Sequence, residues 1–138
     1  MPQFSAESRK KLMLAHDNLA RVFERVVTDF DCTILCSYRD KIEQEKAFET
    51  GHSTKHFPNS KHNSMPSLAI DVVPYPVDWE DTDRMRYFAG QVVATARAMN
   101  IKIRWGGDWN KNTELKDEHL KDLPHFEILN PNRRQTER

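Results

Sequence analysis

The sequence predicts an α+β fold: a small, mostly antiparallel sheet flanked by helices. Three observations predict it. Two long segments, 5–28 and 82–99, carry apolar residues at helical spacing, and four short apolar runs read as strands. The helical and strand-like segments do not follow the regular alternation that builds a parallel sheet.

Residues 5–28 read as one amphipathic helix with Ser5 as N-cap and Leu12, Leu19, Val22, Phe23 and Val26 on one stripe. The run CTILC (residues 32–36) is a short buried strand. Asp40 opens a second helix, Glu43 completes a capping box three residues on, and Gly51 closes it. Residues 52–67 form a polar loop holding His52, His56 and His62. LAIDVV (68–73) is strand-like and ends at VPYP, since proline cannot donate to a sheet ladder. A third helix starts at Asp81 or Thr82, runs to about Met99 and ends at Asn100, with Tyr87, Phe88, Val92, Ala96 and Met99 as its buried face. IKIRW (101–105) and FEIL (126–129) complete the strands, with loop and a helical turn between them.

A chain of 138 residues suits one domain, with a core over about 5–129 and a tail at 130–138. With 38% hydrophobic and 30% charged residues, the core is modest and the surface polar. The 21 basic residues balance 21 acidic ones, which argues against a nucleic-acid binder. Cys32 and Cys36 lie about 13 Å apart along a strand, too far for a mutual disulfide, and read as small buried side chains in a protein of a reducing compartment. MPQFSAESRKK lacks the apolar stretch of a secretion signal, and no run approaches the roughly 20 apolar residues of a membrane span.

Asp71 stands between Ile70 and Val72 in an otherwise apolar run. A carboxylate there is costly unless it is paired or bound to a metal. Strand alternation offers the plainer reading, in which Asp71 turns to solvent or to a lysine. His62 precedes this strand, and His125 opens the last one three residues after Asp122. Two imidazoles and one carboxylate leave a fourth tetrahedral position open, as in catalytic zinc sites. The same donors also suit iron(II).

The stretch SKHNSMPSLAID (60–71) resembles the Ser-x-His-x-x-Gly-x-Ala-x-Asp signature of the D-alanyl-D-alanine carboxypeptidase and hedgehog-fold zinc peptidases. With SYR (37–39), RWGGDW (104–109) and Asp-x-x-His followed by Glu127, the resemblance runs from about Thr33 to Leu129. It is closest to the phage endolysins that cut L-alanyl-D-glutamate bonds in peptidoglycan. The resemblance implies Zn2+ held by His62, Asp71 and His125. It implies Asp122 as general base, Arg39 as the cation facing the developing oxyanion, and Ser60 as a supporting or substrate-contacting residue. Nine positions separate His62 from Asp71 where the family has seven, and Met65, Pro66 and Ser67 stand where its glycine would be. A longer loop accounts for both at small entropic cost. His56 is the rival ligand and His52 a weaker one; the preceding Ser60 and Lys61 favour His62.

Glu127 alternates with Phe126 and Ile128 and suits a hydrogen bond to a ligating histidine. Asp108 orders its loop or touches substrate. Trp105 reads as core, Trp109 as core or groove, and His16 and His119 as surface. The leading expectation is a monomeric zinc endolysin acting on peptidoglycan. It would accumulate in the host cytoplasm and reach the wall through a lesion made by a holin-type partner. A D-alanyl-D-alanine carboxypeptidase of wall remodelling is the nearest alternative enzyme. A zinc-bearing binding module or a phage structural protein stand as non-enzymatic alternatives.

Overall fold

The computed structural model describes residues 1–114 and 122–131. His119 and most of the expected tail therefore lie outside the described residues, as does part of the loop before Asp122. In chain order the elements are α1 (Ala6–Leu12), α2 (Asp17–Asp29), β1 (Cys32–Cys36), α3 (Lys41–Glu49), a 3-10 turn (Lys61–Asn63), β2 (Ala69–Pro74), α4 (Thr82–Ala98), β3 (Ile103–Trp105) and β4 (His125–Ile128). The strands form one sheet in the order β1-β2-β4-β3, with antiparallel pairing at every step. This is the α+β arrangement the sequence predicts.

Alternation divides the sheet into two faces. Ile70 and Val72 of β2, Phe126 and Ile128 of β4, and Ile103 and Trp105 of β3 join the hydrophobic core. From the helices, Leu19, Val22, Phe23 and Val26 of α2 and Phe88, Val92 and Ala96 of α4 complete it. Phe126 is the central contact: its ring meets Phe23 edge-on at 5.4 Å and Phe88 at 6.3 Å between centroids. Full burial of side chains of this size contributes roughly 1.5–3 kcal/mol each. The residues between them, Asp71, His125, Glu127 and Arg104, point to the opposite face. The packing that stabilises the fold thus also sets the polar residues side by side.

The capping at α3 follows the sequence: Asp40 Oδ1 accepts from Glu43 N at 2.8 Å, Glu43 Oε1 accepts from Asp40 N at 3.0 Å, and Gly51 adopts φ +81°. Three expectations differ. The N-terminal segment is two helices rather than one, because residues 14–16 are drawn into a short bridge. Ser67 N donates to Leu14 O and His16 N to Ser67 O, each at 2.8 Å. His16 is half-buried rather than on the surface: Nδ1 caps α2 by accepting from Asn18 N at 3.1 Å, and Nε2 meets Pro131 O at 2.8 Å. Tyr87 is 66% exposed, and Met85 and Ala89 take its expected place on the buried face of α4.

Candidate metal and catalytic site

β2 sets the geometry. Asp71 is paired across the ladder with His125 of β4 on one side and Cys36 of β1 on the other. Side chains directly opposite in an antiparallel pair share a face. The Cys36 pairing exists because the register shifts between Ile34 and Cys36. Asp71 Oδ1 lies 3.3 Å from His125 Nδ1 and 3.4 Å from His62 Nε2.

His62 arrives on the 3-10 turn. Ser60 caps that turn, its Oγ accepting from His62 N at 3.2 Å, while Asn63 Oδ1 accepts from Ser60 N at 3.0 Å. Arg39 N donates to His62 O at 2.8 Å and Leu68 N to Lys61 O at 3.1 Å, which ties the turn to its neighbours. These bonds hold the loop so that His62, 2% exposed, faces Asp71.

Each imidazole is oriented from behind. His62 Nδ1 donates to the Ser37 carbonyl at 2.6 Å, and His125 Nε2 donates to Glu127 Oε1 at 2.9 Å. In the neutral rings this leaves the lone pairs of His62 Nε2 and His125 Nδ1 directed at Asp71. His62 Nε2 and Asp71 Oδ1 are both buried without a hydrogen-bond partner. Buried polar atoms are nearly always satisfied, and lone pairs facing a carboxylate are satisfied by a cation. The electrostatics agree. Burial opposes charge on His62 and His125, yet Asp71, joined by Cys36 at His62 and by Glu127 at His125, outweighs it and raises both pKa values. Burial opposes the Asp71 carboxylate too, yet the two rings hold it well below the usual carboxylate range. The cluster therefore gathers positive charge, either as protons or as a metal ion.

Two donor sets among the described residues have ligand atoms within 4.8 Å of one another: Cys36, His62 and Asp71, and Asp71, Asp122 and His125. They share Asp71, with His62 and His125 on either side, their ring centroids 5.3 Å apart. The donors fit a divalent cation. Cys36, expected to be a buried structural side chain, instead belongs to this cluster, with Sγ 3.8 Å from His62 Nδ1. Cys32, 3% exposed, does sit in the core. Both thiols are free.

Asp122 stands at the rim, with Oδ2 3.9 Å from His125 Nδ1 and a side chain 47% exposed. Its position depends on Gly106. Asp122 N donates to Gly106 O and Gly106 N to His125 O, each at 2.8 Å. A Cβ on Gly106 would lie 2.1 Å from the Asp122 carbonyl oxygen. Burial, then the charge of Asp71, raises the pKa of Asp122. Arg39 lies 3.5 Å from Asp71 Oδ2 through Nη2 and donates to Gln44 Oε1 at 3.2 Å through Nη1.

The cluster opens into a cavity of about 530 Å³ whose walls include Arg39, Ser60, His62, Trp109, Asp122 and His125. The Trp109 ring is 5.3 Å from that of His125, which places it on the groove, whereas Trp105 is in the core. Asp108 turns into its own loop, where Oδ2 accepts from Thr113 N at 2.9 Å. His56 pairs with Glu45 at 2.7 Å, packs on Phe48 and belongs to neither donor set. His52 bonds Thr50 Oγ1 at 2.7 Å and lines the cavity.

Glu127 is a hub. Oε1 accepts from His125, while Oε2 receives Arg104 Nη2 at 2.8 Å and Lys61 Nζ at 2.9 Å. Neither Arg104 nor Lys61 is expected from the sequence as a partner of Glu127. The signal for Arg104 was present: alternation that buries Ile103 and Trp105 turns Arg104 to the site face, opposite Glu127.

Residues 1–129 match the family described as phage L-alanyl-D-glutamate peptidase. The L-alanyl-D-glutamate peptidase of Escherichia phage T5 is 27% identical over 135 residues, covering 92% of this chain and 98% of the relative. The crystal structure of the L-Ala D-Glu endopeptidase ChiX of Serratia marcescens superposes with a TM-score of 0.71 at 26% identity, covering 92% of this chain and 90% of that one. With its sheet, its cluster and these similarities in agreement, the chain belongs to the phage L-alanyl-D-glutamate peptidase family.

Proposed function

We propose that the protein is a zinc-dependent peptidase that hydrolyses the L-alanyl-D-glutamate amide of peptidoglycan stem peptides. The observation that carries this reading is the pair of oriented lone pairs, His62 Nε2 and His125 Nδ1, facing Asp71 beside a half-exposed Asp122. His62, Asp71 and His125 would hold the ion. When bound, zinc would acidify a water molecule and polarise the scissile carbonyl. Hydrolytic relatives favour zinc over iron(II), which the same donors suit.

The chain's own groups supply the rest. Asp122 takes the proton of the attacking water and passes it to the departing amine; its raised pKa favours that return. Arg39, held at the cavity wall by Gln44, stabilises negative charge on the carbonyl oxygen. Loss of such a donor costs about 3 kcal/mol of barrier. Glu127 and the Ser37 carbonyl keep the rings in register, and Ser60 fixes the turn that carries His62. Trp109 supplies an apolar wall for the peptide. With this reading go a monomeric enzyme, action at the cell wall and release from the host cytoplasm through a holin-type lesion. No helix among the described residues is long and apolar enough to cross a membrane.

Digestion of purified sacculi by zinc-loaded protein tests the reading. New D-glutamate amines support it. Released D-alanine would point instead to the carboxypeptidase, and an unchanged sacculus to a binding module.

A further inference from the structure

The whole chain is neutral, with 21 basic and 21 acidic residues, yet its cavity is not. Arg39, Lys55, Lys61 and Arg104 line it against the carboxylates of Asp122 and Glu127. The excess is concentrated at one place. Lys61 and Arg104 both meet Oε2 of Glu127, whose other oxygen is taken by His125. One cation would neutralise that carboxylate, so the second is surplus. Glu127 is 6% exposed at its side chain, whereas Lys61 and Arg104 are 35% and 36% exposed and face the cavity. Arg104 Nε is buried without a partner, and the guanidinium lies 5.5 Å over the Trp109 ring. The surplus charge therefore sits one carboxylate away from His125.

We propose that Lys61 and Arg104 form a carboxylate subsite that takes the free α-carboxylate of the residue on the leaving side of the scissile bond. The inference rests on the peptidase reading above and names the feature of the substrate that this site selects. In a D-glutamate linked onward through its side-chain carboxyl, the α-carboxylate is on the carbon bearing the scissile nitrogen. It is therefore a fixed anion next to the reacting amide. A planar arginine and a flexible lysine suit bidentate and point-charge contacts to such a group. Stem peptides amidated at this carboxyl would lose the contact.

The test compares two synthetic acyl-L-alanyl-D-glutamyl-L-lysine peptides, linked through the glutamate side chain. One has a free α-carboxylate and the other an α-carboxamide. For zinc-loaded wild-type protein, kcat/KM is expected to favour the acid by about tenfold or more, the scale of a charge-assisted hydrogen bond. Arg104→Met and Lys61→Met should each shrink that ratio, and the double variant should bring it near one. A purely structural role, acting through Glu127 and His125, would slow both substrates equally and leave the ratio unchanged. An unchanged ratio, or a wild-type ratio near one, overturns the subsite. Calorimetric titration of both peptides into Asp122→Ala protein makes the same comparison without turnover. Tighter binding of the acid with no cleavage by wild type would keep the subsite and sink the peptidase reading; equal binding would sink the subsite.

Discussion

Asp71 and His125 face each other directly across the β2–β4 ladder, with Oδ1 3.3 Å from Nδ1. A central strand and its neighbour thus fix half of the cluster, while His62 is brought to the other side by a capped turn. The pair explains why a carboxylate is tolerated in an apolar strand: it balances positive charge gathered on its own face.

Removal of Asp71 should separate from removal of Asp122. Asp71→Ala is expected to lose bound zinc and activity together. Asp122→Ala is expected to keep zinc and lose activity, because the proposed reading gives the half-exposed Asp122 the proton transfer and leaves the ion to His62, Asp71 and His125. Metal content by mass spectrometry beside a lysis assay checks both. Equal zinc loss in the two variants would merge their roles.

Glu127 holds the His125 ring by a 2.9 Å bond to Nε2. Glu127→Gln should therefore weaken zinc binding by about 10–100-fold, the usual effect of losing a group behind a ligand. Competition with a chromophoric chelator measures it. Unaltered affinity would show that the ring is held by packing alone.

Much of this was legible in the sequence. The Ile70-Asp71-Val72 alternation, the Asp40–Glu43 capping box and the stripe from Leu19 to Val26 depend on local spacing, and each is found where the sequence expects it; Leu12 is buried too, but on α1. The break at residues 13–16 depends on Ser67, more than fifty positions away, so no local pattern could reveal it. Cys36 joins the cluster through a register shift in β1, which likewise requires the partner strand. Tyr87, whose aromatic ring suits the buried face of α4, is instead exposed, its ring 5.9 Å from that of Phe30. Arg104 was readable from alternation, but its importance follows only from meeting Glu127.

The metal-free protein should lose stability in acid through Glu127. Burial opposes this carboxylate's charge, but His125, Lys61 and Arg104 outweigh it and hold its pKa well below the usual range. A lowered folded pKa stabilises the fold above the unfolded value of about 4.3, and that stabilisation fades as pH falls toward the folded value. Urea unfolding of apo wild type and apo Glu127→Gln from pH 5 to pH 2 should show a stability difference that shrinks as pH drops. His62 and His125, whose pKa values are raised, are protonated in both states over that window and add no slope. A difference independent of pH would contradict the assignment.

Gly106→Ala should damage the site without touching a proposed ligand. The new Cβ would lie 2.1 Å from the Asp122 carbonyl oxygen, so the backbone must move. Overpacking of this kind costs typically 1–3 kcal/mol. Thermal unfolding should show that loss, and lytic activity should fall further than stability does, because Asp122 is displaced. Wild-type activity at wild-type stability would show that the loop adjusts freely.

In the proposed site His62, Asp71 and His125 share one zinc ion. Diffraction from zinc-soaked crystals, collected on both sides of the zinc absorption edge, tests it most directly. One anomalous peak is expected about 2.0–2.2 Å from His62 Nε2, His125 Nδ1 and an Asp71 oxygen. A peak on Cys36 Sγ without His125, or no peak in this cavity under zinc excess, would contradict it.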